Sequence, residues 1–199
     1  MKILIVGASG TIGSFVARAL AERHEIVKAG SKSGDVRVDI KDSGSIRKMF
    51  ESVGKLDAVV STAGKVHFGA FAQMTEAEFG IGLKDKLMGQ VNLVLIGRDF
   101  VQDGGSFTLT SGVLSHDPIR LGAGASLVNG ALDSFVRAAA LEMPRGIRIN
   151  SISPGVLEES LPSYGPYFLG HEAVPGKRVA NAYVKSVDGA LTGQVIHVL

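Results

Sequence analysis

The chain has 199 residues, 45% of them hydrophobic, with 21 Lys and Arg against 19 Asp and Glu and a formal net charge of +2. That length favours one domain (residues 1–199) with a sizeable core, and the apolar content excludes a disordered chain, which could not offset its ordering entropy. The absence of Cys excludes a disulfide framework and a Cys-ligated metal, and the scattered basic residues lack the concentrated face that nucleic acid requires.

Short apolar runs alternate with longer amphipathic stretches, the signature of βαβ units. Lys2–Val6 is nearly continuous in apolar residues, as expected of a parallel strand covered on both faces. It is too short for the apolar region of a signal peptide, and no run approaches the ~18 residues needed to span a bilayer, so a cytoplasmic protein without membrane contact is expected. Phe15, Val16, Ala19 and Leu20 share one face of a first helix. Glu25–Ala29 and Val36–Asp39 read as strands, Ser45–Ser52 as a short helix and Leu56–Ser61 as a further buried strand. The segment Glu76–Phe100 is helical in pattern but contains Gly80, Gly82, Gly89 and Gly97, so a bend or break is expected inside it. Ser106–Ser111 is a β-rich run, and Ala123–Glu142 is a strong helix closed by Pro144. Residues 153–175 hold Pro154, Pro162, Pro166 and Pro175 and read as a loop or partly helical flap. Ile147–Ile152 and Gln194–Leu199 complete a sheet of about seven strands. The fold class is therefore α/β, a Rossmann-type doubly wound parallel sheet with helices on both faces.

Gly7-Ala8-Ser9-Gly10-Thr11-Ile12-Gly13 follows the first strand and opens the first helix. Glycines at this spacing meet three needs: a tight turn, close backbone approach to a pyrophosphate, and close helix–strand packing. The helix N-terminus adds unpaired N–H groups and partial positive charge for the phosphates. Sites for NAD place an acidic residue about 20 positions later to hold the ribose hydroxyls. Here the second strand ends Lys28-Ala29-Gly30-Ser31-Lys32-Ser33, with no carboxylate. Lys32 would attract a 2′-phosphate, and Ser31 and Ser9 could donate to it, so NADP(H) is preferred over NAD(H). Asp39 and Ile40, at the end of the third strand, are placed to meet the adenine, although Asp39 would equally serve to cap the helix that follows.

Together these segments resemble the short-chain dehydrogenase/reductase family over nearly the whole chain. Gly7–Gly13 resembles its cofactor loop, and Ser61-Thr62-Ala63-Gly64 resembles the Asn-Asn-Ala-Gly segment that lies along the cofactor. Ser106–Ser111 is similar to the strand ending in the catalytic serine, and Thr192–Ile196 to the last strand. Arg148-Ile149-Asn150-Ser151-Ile152-Ser153-Pro154-Gly155 matches an Arg-x-Asn-x-x-x-Pro-Gly run whose Pro154-Gly155 turn would contact the nicotinamide end. The resemblance implies an oxidoreductase that transfers hydride between NADP(H) and a small carbonyl or alcohol. It also implies a homodimer or homotetramer, paired through the helices at Gln90–Phe100 and Ala123–Glu142.

The departures fall on the chemistry. Ala125 stands where the family has its proton-donating Tyr, Asn129 where it has the Lys four residues later, and Lys86 where it has a mid-helix Asn. Alanine has no proton to give, and a neutral amide cannot lower a phenol's pKa by charge. Ser111 alone survives of the four. It would hold the substrate oxygen, leaving the acid role to Lys86, if burial lowers its pKa, or to His116, which titrates near neutral pH. The alternative expectation is a catalytically inactive NADP(H)-binding sensor or regulatory protein. No His/Asp/Glu grouping has metal-ligand spacing, so no metal is expected.

Overall fold

In the computed structural model, which describes residues 1–199, seven parallel strands form one sheet in the order β3-β2-β1-β4-β5-β6-β7. The strands are β1 (Lys2–Val6), β2 (Glu25–Gly30), β3 (Val36–Arg37), β4 (Leu56–Ser61), β5 (Val101–Thr110), β6 (Arg148–Pro154) and β7 (Val195–Val198). The order reverses between β1 and β4, so the carboxyl ends of these two strands open a crevice, the usual ligand position of a doubly wound sheet. Alternation along the strands divides the core into two. Leu4, Val6, Val59, Phe107 and Leu109 face one layer, whereas Ile3, Ile5, Ala58, Val60 and Ile152 face the other. The first layer is closed by α2 (Ser43–Val53), α4 (Met88–Gly97) and α5 (Ala123–Ala139), through residues such as Phe50, Leu93 and Leu132. The second is closed by α1 (Thr11–Ala21) and α7 (Gly176–Asp188), through Val16, Leu20, Val179 and Tyr183. No helix is long and apolar enough to cross a membrane.

Four sequence expectations are corrected. The third strand stops at Arg37, and Asp42 rather than Asp39 caps α2, its side chain accepting from the Gly44 amide at 2.8 Å. The strand before Ser111 begins at Val101, not Ser106, with Gly104 at φ +72° inside the irregular stretch. The helix α5 ends at Ala139, and Pro144 opens a separate 3-10 turn. Finally, Gly176–Asp188 is a full helix that sequence inspection passed over, although Val179, Tyr183 and Val187 recur at four-residue spacing on its buried face.

The break expected within 76–100 is present, and it begins directly after Gly82. The helix α3 (Glu76–Gly82) runs into a π-helical turn, Leu83–Leu87, before α4 resumes. Gly89 and Gly97 instead allow close packing: a Cβ on Gly97 would lie 2.5 Å from the Phe50 ring and one on Gly89 2.9 Å from Ile40. Turns of π type recur at functional sites because the extra residue re-aims one side chain. Here that turn contains Lys86.

Candidate active site

Two adjoining depressions lie at the carboxyl ends of the strands, and both are bordered by Thr62, Ala63 and Gly64. The first is a groove of about 450 Å³ running from the Gly7–Gly10 loop across Gly30, Ser31 and Lys32 to Asp39 and Ile40. Gly7 has φ +87°, and a Cβ there would sit 2.9 Å from the Ala63 amide nitrogen, so a side chain would both strain the loop and close the crevice. Gly10 precedes α1 in an extended conformation, and no side chain caps the helix. The amides of the first turn are therefore unclaimed. These features fit a dinucleotide pyrophosphate, with Ser9 at the mouth of the groove. Gly13 does not reach the groove. It presses α1 against the loop, where a Cβ would meet the Gly7 carbonyl oxygen at 2.1 Å. Thr11 is likewise outside the lining and exposed, while Ile12 borders the second cavity.

At the far end of the groove Ser31 and Lys32 are exposed, and Lys41 and Lys65 join them, two cations that sequence reading missed. The only carboxylates in the lining are Asp39 and Asp85, and both are engaged. Asp39 accepts from the Lys41 amide at 3.0 Å, and Asp85 from the Lys65 amide at 3.1 Å. Asp35, which follows the β2 turn, is turned back onto the Lys28 amide at 2.8 Å and lies outside the groove.

The second cavity, about 240 Å³, is walled by apolar side chains including Val66, Phe68, Leu114, Leu157 and Phe168. Its polar floor comprises Ser111, Asn129 and Lys86, with Pro154 and Gly155 at one side. Ser111 follows β5 and is buried, its hydroxyl 3.4 Å from the Ile152 carbonyl oxygen. Gln90 on α4 fixes the end of β5, accepting from the Thr110 amide at 2.8 Å and donating to the Thr110 carbonyl at 2.9 Å.

Lys86 is the one charged residue of the lining. Its Nζ donates to the Ser111 carbonyl oxygen at 2.8 Å and to Asn129 Oδ1 at 2.7 Å. The stem lies along Gly64, where a Cβ would fall 2.7 Å from Lys86 Cγ, so the glycine is what lets the side chain enter. Burial pushes the ammonium down from 10.5 to about 8, opposed by the field of Asp133. Burial acts in this direction because it penalises the charged form of a base.

His116 does not join this cluster. It is exposed, lies outside the cavity lining, and turns its ring onto that of His197 at 4.5 Å between centroids. The three tyrosines do not restore a phenol at Ala125 either. Tyr183 is buried under the sheet on α7, hydrogen-bonded to Thr110 Oγ1 at 2.6 Å, and burial pushes its phenol well above the usual range. Tyr164 borders the cavity from the flap with its ring on Phe68, and Tyr167 lies outside it. In the flap the helix α6 (Leu161–Tyr164) lies between short 3-10 turns. Arg148 and Asn150, the polar residues of the Arg-x-Asn run, hold structure. Arg148 caps the last carbonyls of α7 at 2.7 Å (Ser186) and 2.8 Å (Val187), and Asn150 donates to Leu191 at 2.8 Å. No group of three or more His, Asp or Glu is placed to hold a metal ion.

Residues 7–173 match a family model described as enoyl-(acyl carrier protein) reductase. A short-chain dehydrogenase/reductase of Aspergillus aculeatus, AacuN, is 32% identical over 75% of this chain, and the match spans 60% of that protein's length. The protein lin1944 from Listeria innocua is similar in structure over the whole of both chains, with a TM-score of 0.99 and 50% identity. A small-chain dehydrogenase solved in complex with NADPH has a TM-score of 0.88 and 25% identity, over 100% of this chain and 96% of the other. With its motifs in family order along the crevice of a seven-stranded parallel sheet, the chain belongs to the short-chain dehydrogenase/reductase family.

Proposed function

We propose that this chain is an NADP(H)-dependent oxidoreductase acting on a small, largely apolar carbonyl or alcohol, with Lys86 as its acid and Ser111 as a donor to the substrate oxygen. The observation that carries the reading is the Lys86 ammonium on the floor of an apolar cavity, directly beside Ser111. A bound nicotinamide supplies or accepts the hydride. In the reductive direction the oxygen left by hydride addition gains negative charge and needs donors and a proton. Ser111 offers its hydroxyl. Lys86 has two of its three hydrogens committed, to Ser111 O and Asn129 Oδ1, which leaves one for the substrate. The apolar walls exclude water and strengthen both interactions.

Gly7, Ser9 and Gly10 would hold the pyrophosphate, Ser31 and Lys32 a 2′-phosphate, Asp39 and Ile40 the adenine side, and Thr62–Gly64 with Pro154 and Gly155 the nicotinamide end. The NADPH-bound small-chain dehydrogenase supports the same choice of cofactor. Titration by nucleotide fluorescence is expected to give tighter binding of NADPH than NADH. Lys32→Glu should weaken NADPH by about tenfold or more, the equivalent of ~1.4 kcal/mol, and leave NADH within a few-fold. Equal affinity of the wild-type protein for both nucleotides would refute the phosphate assignment.

The reading of the site is tested by a screen of small ketones and aldehydes followed by Ser111→Ala and Tyr164→Phe. Ser111→Ala is expected to lower kcat by about 10²–10³, the usual loss of one donor at a developing oxyanion. Tyr164→Phe should keep wild-type turnover. Comparable loss in Tyr164→Phe would move the acid role from Lys86 to the flap. A homo-oligomer through α4 and α5 is part of the proposal, since Leu95 and Leu127 stand exposed on these two helices.

A further inference from the structure

The structure assigns to Asn129 a catalytic role: its side-chain amide is the second donor to the substrate oxygen, polarised from behind by Lys86. The assignment rests on the reading of this cavity as the substrate site. Four observations carry it.

Asn129 is buried on α5, one turn beyond Ala125, and lines the same cavity as Ser111 and Lys86. Its orientation follows from chemistry. An ammonium has hydrogens and no lone pair, so the partner 2.7 Å from Lys86 Nζ must be the amide oxygen. The Nδ2 group is then turned away from the lysine, and it makes no hydrogen bond within the protein. It is also absent from the polar atoms sealed from solvent without a partner, which places its hydrogens on the cavity.

The backbone makes room for this amide. Gly112, next to Ser111, has φ +157°, and a Cβ there would lie 2.9 Å from Asn129 Nδ2. Any other residue at 112 would push the amide off its position beside Ser111. Ala125 contributes only a methyl one turn away, and Asn129 and Ser111 both line this cavity.

The pairing with Lys86 increases the donor strength. A cation on the amide oxygen draws electron density from the nitrogen, and coupled hydrogen bonds strengthen one another in a low-dielectric site. Lys86 therefore acts on the substrate oxygen twice: through its own remaining hydrogen, and as a positioning residue through Asn129. The ammonium comes from the π-helical turn and the amide from α5, so one substitution at either position disconnects the pair.

The test separates this role from the proposed reduction by using a probe that needs no turnover. 4-Nitrophenol changes colour on ionisation, and a site with two donors aimed at one oxygen should bind its anion and lower its apparent pKa. Wild-type protein saturated with NADP⁺ is expected to shift the phenol downward. Asn129→Asp, which replaces the donor by an acceptor at equal size, should abolish the shift or reverse its sign. Asn129→Ala should retain less than half of it, which keeps the test open if the carboxylate variant folds poorly. In parallel, Asn129→Asp should lower kcat by about 10² or more and raise the pH at which kcat/KM falls, because a carboxylate beside Lys86 favours its charged form. Phenolate binding unchanged in both variants, or no shift with the wild-type protein, would overturn the role of Asn129. Failure to reduce any carbonyl, with the phenolate shift intact and dependent on Asn129, would overturn the proposed reaction and leave the donor pair standing.

Discussion

Replacing Lys86 by Met is expected to lower kcat/KM for carbonyl reduction by about three orders of magnitude while NADPH still binds. The size follows from removing the charge, the proton and the polarisation of Asn129 together, within the range of 10²–10⁴ typical of a positioned acid. The pH dependence gives the more specific check. The ammonium is the active form in reduction, and burial holds it at about 8. Wild-type kcat/KM should therefore be level below pH ~8 and fall tenfold per unit above it, and alcohol oxidation should rise through the same range. In Lys86→Met the residual rate should lose this limb. A wild-type profile level from pH 6 to 10 would remove Lys86 from the proton step.

The same group leaves a mark on stability. A lysine at about 8 when folded and near 10.5 when unfolded binds more protons in the unfolded state between those values. Stability of the wild-type protein relative to Lys86→Met should accordingly rise as pH increases through this window, the sign required by linkage. Denaturant midpoints of the two proteins at pH 7 and pH 10 measure it.

The largest effect on the fold is expected from Gly13→Ala. A Cβ at this position would lie 2.1 Å from the Gly7 carbonyl oxygen and 2.9 Å from Ala8 Cα. Both atoms belong to backbone that is itself confined, since Gly7 donates its amide to the Ala29 carbonyl at 2.8 Å and lies against Thr62 and Ala63. Neither α1 nor the loop can yield without disturbing the β1–β4 crevice. Overpacking of this kind costs about 3 kcal/mol or more, which for a chain of this size lowers Tm by about 6–12 °C. Calorimetry checks the first part, and loss of NADPH binding in the folded fraction the second. A Tm within 2 °C of wild type would show that the helix and loop can separate.

Much of the fold can be read from the sequence because its signals are local. The strand Lys2–Val6, the glycine loop and the run ending at Pro154-Gly155 each have a pattern that depends only on near neighbours. Elements whose boundaries depend on distant contacts are less legible. The strand β5 begins five residues before its apolar run because Val101 pairs with Leu56 across an irregular register. The helix at 176–188 buries its apolar face against α1 and the sheet, with Tyr183 reaching Thr110.

The candidate site divides in the same way. Its cofactor half is legible because the glycine spacing and the missing acid after β2 lie in short stretches of chain. In the cavity half the sequence names Ser111 and Lys86 but not how they assemble. Lys86, Ser111 and Asn129 come from a π-helical turn, a strand end and a helix, 25 and 18 positions apart. The sequence offers both Lys86 and His116 as acids, and packing separates them. One stem threads past Gly64 to Asn129, while the other ring turns outward onto His197.

By itself, then, the sequence determined the layered parallel sheet, the glycine loop at its first strand–helix turn and an alanine at position 125. Those properties reside in periodicity, glycine spacing and residue identity. Tertiary structure alone decided that the Lys86 ammonium lies between the Ser111 carbonyl and Asn129 Oδ1 on the floor of the second cavity. The physical reason is that burial, pairing and a lowered pKa belong to the space between elements, where no single segment carries the signal.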